Sequence, residues 1–257
     1  MEYREQLQNL YHNPKLYEEE YASLNEDVNF WINYIKENRI NSVLELGCGS
    51  GRIGLKLIPW IKKYAGIDLS SEFLGDFNSK LSSNKYETDV VIKKCDMTNF
   101  SLDDEFELII LPFNTISHLY SIDQVNGMLS CVSKHMRDNS KFIIDCFNPS
   151  IKFLHTHSQR VLCNEFIMTE TNEKISVYET NEYFSDTQVN YIKRFYVNCT
   201  RGTELELDLP MKMYYPMELN ALLQLNGFSI IKKFGDYSLN SFDSSSIKQI
   251  TVSEFIK

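Results

Sequence analysis

The sequence predicts an α/β fold, on three observations. Short, almost wholly apolar runs separated by helix-length segments extend from Ser42 to about Pro149, a glycine-rich stretch follows the first run, and aromatic-rich, alternating segments follow Pro149. Before Ser42, Leu7 and Leu10, then Val28, Trp31, Ile32 and Ile35 recur at spacings of three and four, the stripe of an amphipathic helix that Asn13-Pro14 divides. The runs Val43–Leu46, Ala65–Asp68, Val90–Ile92, Leu108–Leu111 and Phe142–Ile144 suit strands covered on both faces. Ile53–Trp60 and Ile122–His135 are long enough to be crossover helices between them. Val161–Thr169, Ile175–Phe184, Val189–Cys199 and Leu205–Met213 alternate with turn residues between them and read as antiparallel strands. A helix from near Pro216 carries Leu219, Leu222, Leu223 and Leu225 and stops at Asn226-Gly227, and Phe228–Phe234 and Ile247–Phe255 close the chain as strands. The organisation predicted is a helical N-terminal flap (1–40), an α/β core (41–149), an antiparallel β insertion lying as a lid (150–213) and a returning helix and strands (214–257).

At 257 residues the chain has room for one elaborated domain or two small ones, and 43% hydrophobic with 24% charged residues excludes global disorder. A net charge of −9 disfavours a nucleic-acid partner held through its phosphates. The N-terminus reads Glu2, Arg4 and Glu5 rather than a leader, and no run approaches the ~18 apolar residues of a membrane span, so neither membrane association nor export is expected and the cytoplasm is. Six cysteines without a CxxC pair or a nearby histidine at ligand spacing indicate neither a metal site nor a disulfide framework.

The chemistry sits in Val43-Leu44-Glu45-Leu46-Gly47-Cys48-Gly49-Ser50-Gly51-Arg52. A strand turns through glycines at every second position toward a helix, leaving backbone N–H groups open to a ligand. A dinucleotide loop wants G-x-G-x-x-G, and counting from Gly47 its third glycine would fall on Arg52. The fit is to E-x-G-x-G-x-G.

That segment resembles motif I of the class I S-adenosylmethionine-dependent methyltransferases, and Asp68, Cys95-Asp96-Met97, Leu111-Pro112-Phe113-Asn114 and Lys141–Asp145 resemble the ends of that family's second to fifth strands. The later part is similar to bacterial small-molecule N- and O-methyltransferases whose lid follows the fifth strand. The resemblance implies a Rossmann-like, seven-stranded, mostly parallel sheet with S-adenosyl-L-methionine as cofactor. Glu45, Gly47, Cys48, Gly49, Gly51 and Arg52 would line the cofactor, Asp68 and Leu69 its ribose side, Asp96 and Met97 its adenine, and Pro112 and Phe113 its methyl end. Tyr17 and Tyr21, four apart in Tyr17-Glu18-Glu19-Glu20-Tyr21, resemble the paired tyrosines that pack over it. His118 is the candidate base, on the expectation that it titrates near neutrality, with Tyr17 beside it, and Asn114, Tyr191, Arg194 and Tyr215 are acceptor contacts. The family's nucleic-acid and protein amino methyltransferases carry Asn-Pro-Pro-Tyr after the fourth strand, where this chain has Pro112-Phe113-Asn114. A small methyl acceptor is therefore expected, modified on N or O, and a homodimer is compatible with it. Three rivals stay open: a nicotinamide-dependent reductase, a catalytically silent S-adenosylmethionine-binding or protein-interaction module, and a protein or RNA methyltransferase.

Overall fold

The computed structural model describes residues 13–150, 154–155 and 157–256, so the stripe positions Leu7 and Leu10 lie outside the described residues. Helix α1 (Pro14–Tyr21) starts where Asn13 accepts the Leu16 N–H at 3.0 Å and Pro14 supplies a helical φ. Helix α2 (Glu26–Asn38) buries Val28, Trp31 and Ile35 along one side. It ends as Arg39 turns left-handed (φ 54°) and the Ile40 N–H returns to the Ile35 carbonyl at 3.0 Å.

Strands β1 (Ser42–Leu46), β2 (Lys63–Asp68), β3 (Asp89–Lys94), β4 (Phe106–Leu111) and β5 (Met136–Phe147) follow, with α4 (Ser71–Ser82) after β2 and α5 (Ile122–Lys134) after β4. Between β1 and β2, where one helix over 53–60 is predicted, stand the single turn α3 (Gly54–Leu57) and a 3₁₀ turn, Ile58–Trp60. Pro59 lacks the N–H that a continuing α-helix needs. After the insertion come α6 (Pro216–Leu225) and two late strands, Phe228–Phe234 and Lys248–Phe255, numbered β10 and β11 after the insertion's β6–β9.

These strands form one seven-stranded sheet in the order β10-β11-β5-β4-β1-β2-β3, with β11 alone antiparallel to its neighbours. In-register pairs such as Leu44 with Ala65 and Ile109, and Ile109 with Phe142, set alternate side chains on opposite faces. Leu44, Ile109 and Phe142 pack with Val125, Met128 and Leu129 of α5 and Leu219 and Leu223 of α6. Val43, Leu108 and Ile143 pack on the other face with Trp31 and Ile35 of α2 and Phe77 of α4. Each such buried side chain contributes about 1.5–3 kcal/mol relative to exposure, which explains the unbroken apolar runs of β1 and β4.

Strands β6 (His157–Ile167), β7 (Lys174–Phe184), β8 (Val189–Asn198) and β9 (Thr203–Lys212) make a separate antiparallel meander. The chain divides into two compact units, one of residues up to Leu24 with Pro149–Met213, the other of Asn25–Asn148 with Tyr214–Lys257. The division cuts through the segment 1–40 that the sequence reads as one flap. Helix α1 belongs with the meander, whereas the apolar stripe of α2 is satisfied by the seven-stranded sheet. No helix among the described residues is long and apolar enough to cross a membrane.

Within the meander unit, Leu16 of α1 packs on Ile175, Val177, Tyr196 and Leu207. A charged anchor lies beside this contact. Arg194 pairs with Glu20 of α1 at 2.7 Å and with Glu179 at 2.8 Å, and the Tyr196 hydroxyl donates to Glu20 at 2.8 Å. The Arg194 and Glu20 side chains are 8% and 1% exposed, so screening by water is slight. Glu20→Gln is expected to lower stability by about 3–5 kcal/mol, the usual cost of breaking one side of a buried pair, read as a fall in the urea midpoint. An unchanged midpoint would show that Glu179 alone holds Arg194.

Candidate active site

Gly47, Gly49 and Gly51 all take left-handed backbone, with φ of 71°, 54° and 84°. Two of them serve packing inside the protein. A Cβ on Gly47 would lie 2.5 Å from Thr115 Cγ2, and one on Gly51 2.4 Å from the Phe77 ring. At Gly49 it would meet only Phe73, at 3.4 Å, so this glycine is required by backbone conformation and not by crowding. A side chain at Gly47 would therefore meet Thr115 first.

The loop is tied to the end of β2. The Ile67 carbonyl accepts from the Gly47 and Cys48 N–H groups at 2.8 and 3.0 Å, and the Asp68 carboxylate accepts from Gly49 N–H at 2.9 Å and Ser70 N–H at 2.8 Å. Burial raises the Asp68 pKa while these backbone donors pull it down. Ser70, not Asp68, caps α4, its hydroxyl accepting from the Phe73 N–H at 3.2 Å. Leu69 beside it is exposed. Cys48 is buried against Gly66, and burial carries its thiol well above the ordinary range. Glu45 is also buried and takes the Tyr64 hydroxyl at 2.6 Å. Burial pushes its pKa up to about 8, so it is largely protonated at neutral pH.

Arg52 is held by Asp27, a fully buried residue of α2 that it grips with both guanidinium ends, and its guanidinium lies 4.5 Å from the centre of the Phe113 ring. Phe113 and Asn114 are consecutive left-handed residues (φ 52° and 63°). Asp145 at the end of β5 holds them: its carboxylate accepts from the Phe113 N–H at 3.1 Å and its carbonyl from the Asn114 N–H at 2.9 Å. Lys248 at 3.0 Å and the Tyr237 hydroxyl at 2.7 Å satisfy the rest of that buried carboxylate. Pro112 is buried, and its carbonyl accepts the Thr115 hydroxyl at 2.6 Å, which sets the methyl of Thr115 against Gly47. Asp27, Thr115, Asp145, Tyr237 and Lys248 were not singled out from sequence. A carboxylate among apolar neighbours, as in Ile144-Asp145-Cys146, was the one available signal.

After β3, Asp96 accepts from the backbone N–H and hydroxyl of Thr98 at 2.9 and 2.8 Å, and Met97 packs at the margin of the sheet core. His118 closes the 3₁₀ turn Thr115–His118. Burial lowers its pKa to about 4, not near neutrality as expected, so at pH 7 it is a neutral and weak base. Tyr215 precedes α6, its N–H bonded to Glu218 at 3.2 Å.

The remaining candidates lie in the meander unit. The Tyr17 and Tyr21 rings are 4.8 Å apart on α1, and the Tyr21 hydroxyl accepts from Arg194 at 3.1 Å, with burial raising its pKa to about 12. Arg194 is committed to the charged anchor. Tyr191 and Arg194 are three apart on a strand in unbroken register, which places them on opposite faces, and Tyr191 meets Phe184 edge-on at 5.5 Å.

Residues 43–139 match the family described as methyltransferase domain. These residues are similar to a methyltransferase domain. Three solved structures share the fold across nearly the whole chain. An S-adenosylmethionine-dependent methyltransferase from Clostridium acetobutylicum matches at TM-score 0.77 and 18% identity, covering 94% of this chain and 97% of its own. The CcbJ methyltransferase from Streptomyces caelestis matches at TM-score 0.77 and 17% identity, with 90% of each chain covered. SAM-bound CalS10, an amino pentose methyltransferase from Micromonospora echinaspora, matches at TM-score 0.71 and 14% identity, covering 91% of this chain and 92% of its own. Among curated proteins none matches by sequence. Among the described residues no group of His, Cys, Asp and Glu is placed to hold a metal ion.

The residues around this loop suit a polar ligand. Among the described residues Ser50 Oγ and Asn114 Oδ1 are buried and without a hydrogen-bond partner, and Gly49 has no crowding on its Cβ side.

Glu45 and His118 give opposite pH dependences. Glu45 has a folded pKa raised to about 8 from an ordinary 4.5, so its contribution to stability is complete below about pH 4.5 and is lost as pH rises through 8. His118 has a folded pKa lowered to about 4 from 6.5, so stability is lost as pH falls below 6.5. Glu45→Gln is therefore expected to raise the urea midpoint at pH 8 more than at pH 5, and His118→Gln to flatten the decline between pH 6.5 and 4. Parallel pH curves for variant and parent would refute either assignment.

Proposed function

We propose that the chain is an S-adenosyl-L-methionine-dependent methyltransferase acting on a small-molecule amine, in a reducing compartment such as the cytoplasm. The observation that carries the reading is the loop of three left-handed glycines anchored to Asp68 at the carboxyl end of β2, where open α/β sheets place their ligands. When bound, S-adenosylmethionine supplies an electrophilic methyl group on a sulfonium. Gly47–Gly51 present backbone to its amino-acid part. Asp68 uses one lone pair on each oxygen for Gly49 and Ser70 and has others for a ribose diol. Asp96 and Met97 flank the adenine, and Phe113, fixed between Arg52 and Asp145, lines the methyl end. Asn114 is the acceptor contact best supported, through its unpartnered Oδ1.

The choice of nitrogen over oxygen follows from His118. A hydroxyl acceptor must lose its proton as it reacts and needs a base matched to the working pH. A group whose conjugate acid has a pKa near 4 is poorly matched. An amine that enters as its free base needs no such group, and His118 then serves as a neutral hydrogen-bonding side chain. The net charge of −9 opposes RNA or DNA. One structural neighbour is an amino pentose methyltransferase, the same acceptor chemistry. All six cysteines are free thiols, which suits a reducing compartment.

Removing the Asp68 carboxylate deletes charge-assisted hydrogen bonds of about 1.5–3 kcal/mol each, so Asp68→Ala is expected to weaken S-adenosylhomocysteine binding at least about tenfold in calorimetry. Undiminished affinity would overturn the cofactor assignment. In a labelled-methyl screen, amines are expected to exceed phenols, heterocycles without a free amine, and sugars without nitrogen. Transfer to RNA, DNA or protein alone would overturn the acceptor class.

A further inference from the structure

The turn after β4 is held by residues from late in the chain. Phe113 and Asn114 are consecutive left-handed residues (φ 52° and 63°). That backbone is costly for a bulky side chain such as Phe113 and persists only where the surroundings impose it. The support comes through Asp145 of β5, whose side chain is fully buried. Its Oδ2 accepts both the Phe113 N–H at 3.1 Å and the Tyr237 hydroxyl at 2.7 Å, and its Oδ1 takes Lys248 at 3.0 Å. Because the phenol and the Phe113 N–H share one oxygen while the ammonium takes the other, the carboxylate has a single rotation, the one that faces Phe113. Without the phenol it can turn both oxygens to Lys248 and release that N–H.

Tyr237 is placed in turn by its own loop. Asp236 beside it accepts from the Ser238 and Asn240 N–H groups at 2.9 and 3.2 Å, and the Gly235 N–H donates to the Asn240 carbonyl at 2.8 Å. The Tyr237 ring lies 5.9 Å from that of Phe30 on α2 and 4.8 Å from the Lys248 ammonium. Lys248 is fixed in register opposite Phe147 of β5. A buried ion pair stabilises little, since desolvation offsets its attraction, but it does impose one geometry. The element that receives this geometry carries Phe113, half-buried beside Arg52, and leads into Thr115, which meets the glycine loop at Gly47.

Resting on the methyl-transfer reading above, we propose that Tyr237 and Lys248 are positioning residues for methyl transfer, acting through Asp145 to hold the Phe113–Asn114 turn at the methyl end of the site. In that step the lone pair of the acceptor nitrogen forms the C–N bond as the C–S bonding pair returns to sulfur, and the ammonium so formed loses its proton to water. The displacement is in line, so a shift of about 1 Å in the wall beside it costs up to about a hundredfold in rate.

The test uses the full chain, labelled S-adenosylmethionine and benzylamine as the acceptor probe. Tyr237→Phe removes the hydroxyl and keeps the ring. It is expected to lower kcat and kcat/KM together by at least about tenfold, with KM and S-adenosylhomocysteine affinity within about twofold of the parent, the pattern of an interaction realised in the transition state. Asp145→Asn turns an N–H2 group toward either Phe113 or Lys248, both donors, and should lower kcat further. Lys141→Met, which breaks the Lys141–Glu254 pair elsewhere on β5, should leave kcat unchanged. In hydrogen exchange read by mass spectrometry, the peptide spanning Phe113–Thr115 should exchange faster in Tyr237→Phe, and peptides from β1 should not. A lowered urea midpoint with kcat and this exchange unchanged would show that the cluster serves stability alone and overturn the proposal, as would an equal fall in kcat in Lys141→Met. If Asp145→Asn does not fold, Tyr237→Phe decides. If the parent binds S-adenosylhomocysteine but does not methylate benzylamine, exchange with S-adenosylhomocysteine bound decides: slowing at Phe113–Thr115 that Tyr237→Phe abolishes supports the proposal, and slowing equal in both, or absent from both, overturns it. Failure of the parent to bind S-adenosylhomocysteine would overturn the methyltransferase reading itself.

Discussion

The seven-stranded unit depends on left-handed backbone at two neighbouring loops, each held in place by the other. Gly47, Gly49 and Gly51 can take positive φ at little cost, but Phe113 and Asn114 cannot. Their conformation persists because Asp145 takes both N–H groups, one on its carboxylate and one on its carbonyl. The turn so formed places Thr115 where a side chain on Gly47 would be. Strain in the loop after β4 and the absence of a side chain after β1 are thus one constraint, and it sets out the surface on which a ligand would lie.

Buried charge around that surface is settled in three ways. Asp27 is matched by Arg52, which in turn covers Phe113. Asp145 is matched by Lys248 and the Tyr237 hydroxyl. Glu45 has only a tyrosine hydroxyl at hydrogen-bonding distance and holds its proton instead. Arg52 and Lys248 come from distant parts of the chain, so the strained loop is locked by contacts that form only when the whole sheet is assembled.

The meander uses the same physics for a different end. Its α1-covered face carries an arginine with two carboxylates and two tyrosine hydroxyls, all interlinked. Such a network tolerates little change, because removing one partner leaves another charge buried and unpaired. Arg194, attractive from sequence as a ligand contact, is therefore the centre of the anchor.

The sequence by itself determined the sheet, the order of its first strands and the glycine loop. Buried strands must be apolar throughout, half-buried ones must alternate, and a left-handed turn needs glycine, so each leaves its mark within a few residues. The same local rule would have separated Tyr191 from Arg194, since three residues along a strand is an odd number. Only the tertiary structure decided which helix joined which unit, that the Cβ side of Gly47 faces Thr115, and that burial lowers the pKa of His118. Pairings such as Asp27 with Arg52 and Asp145 with Lys248, and the burial that shifts Glu45 and His118, join residues far apart in the chain. A carboxylate or imidazole carries no local sign of its eventual partner or dielectric, and these are set only when the surrounding elements pack.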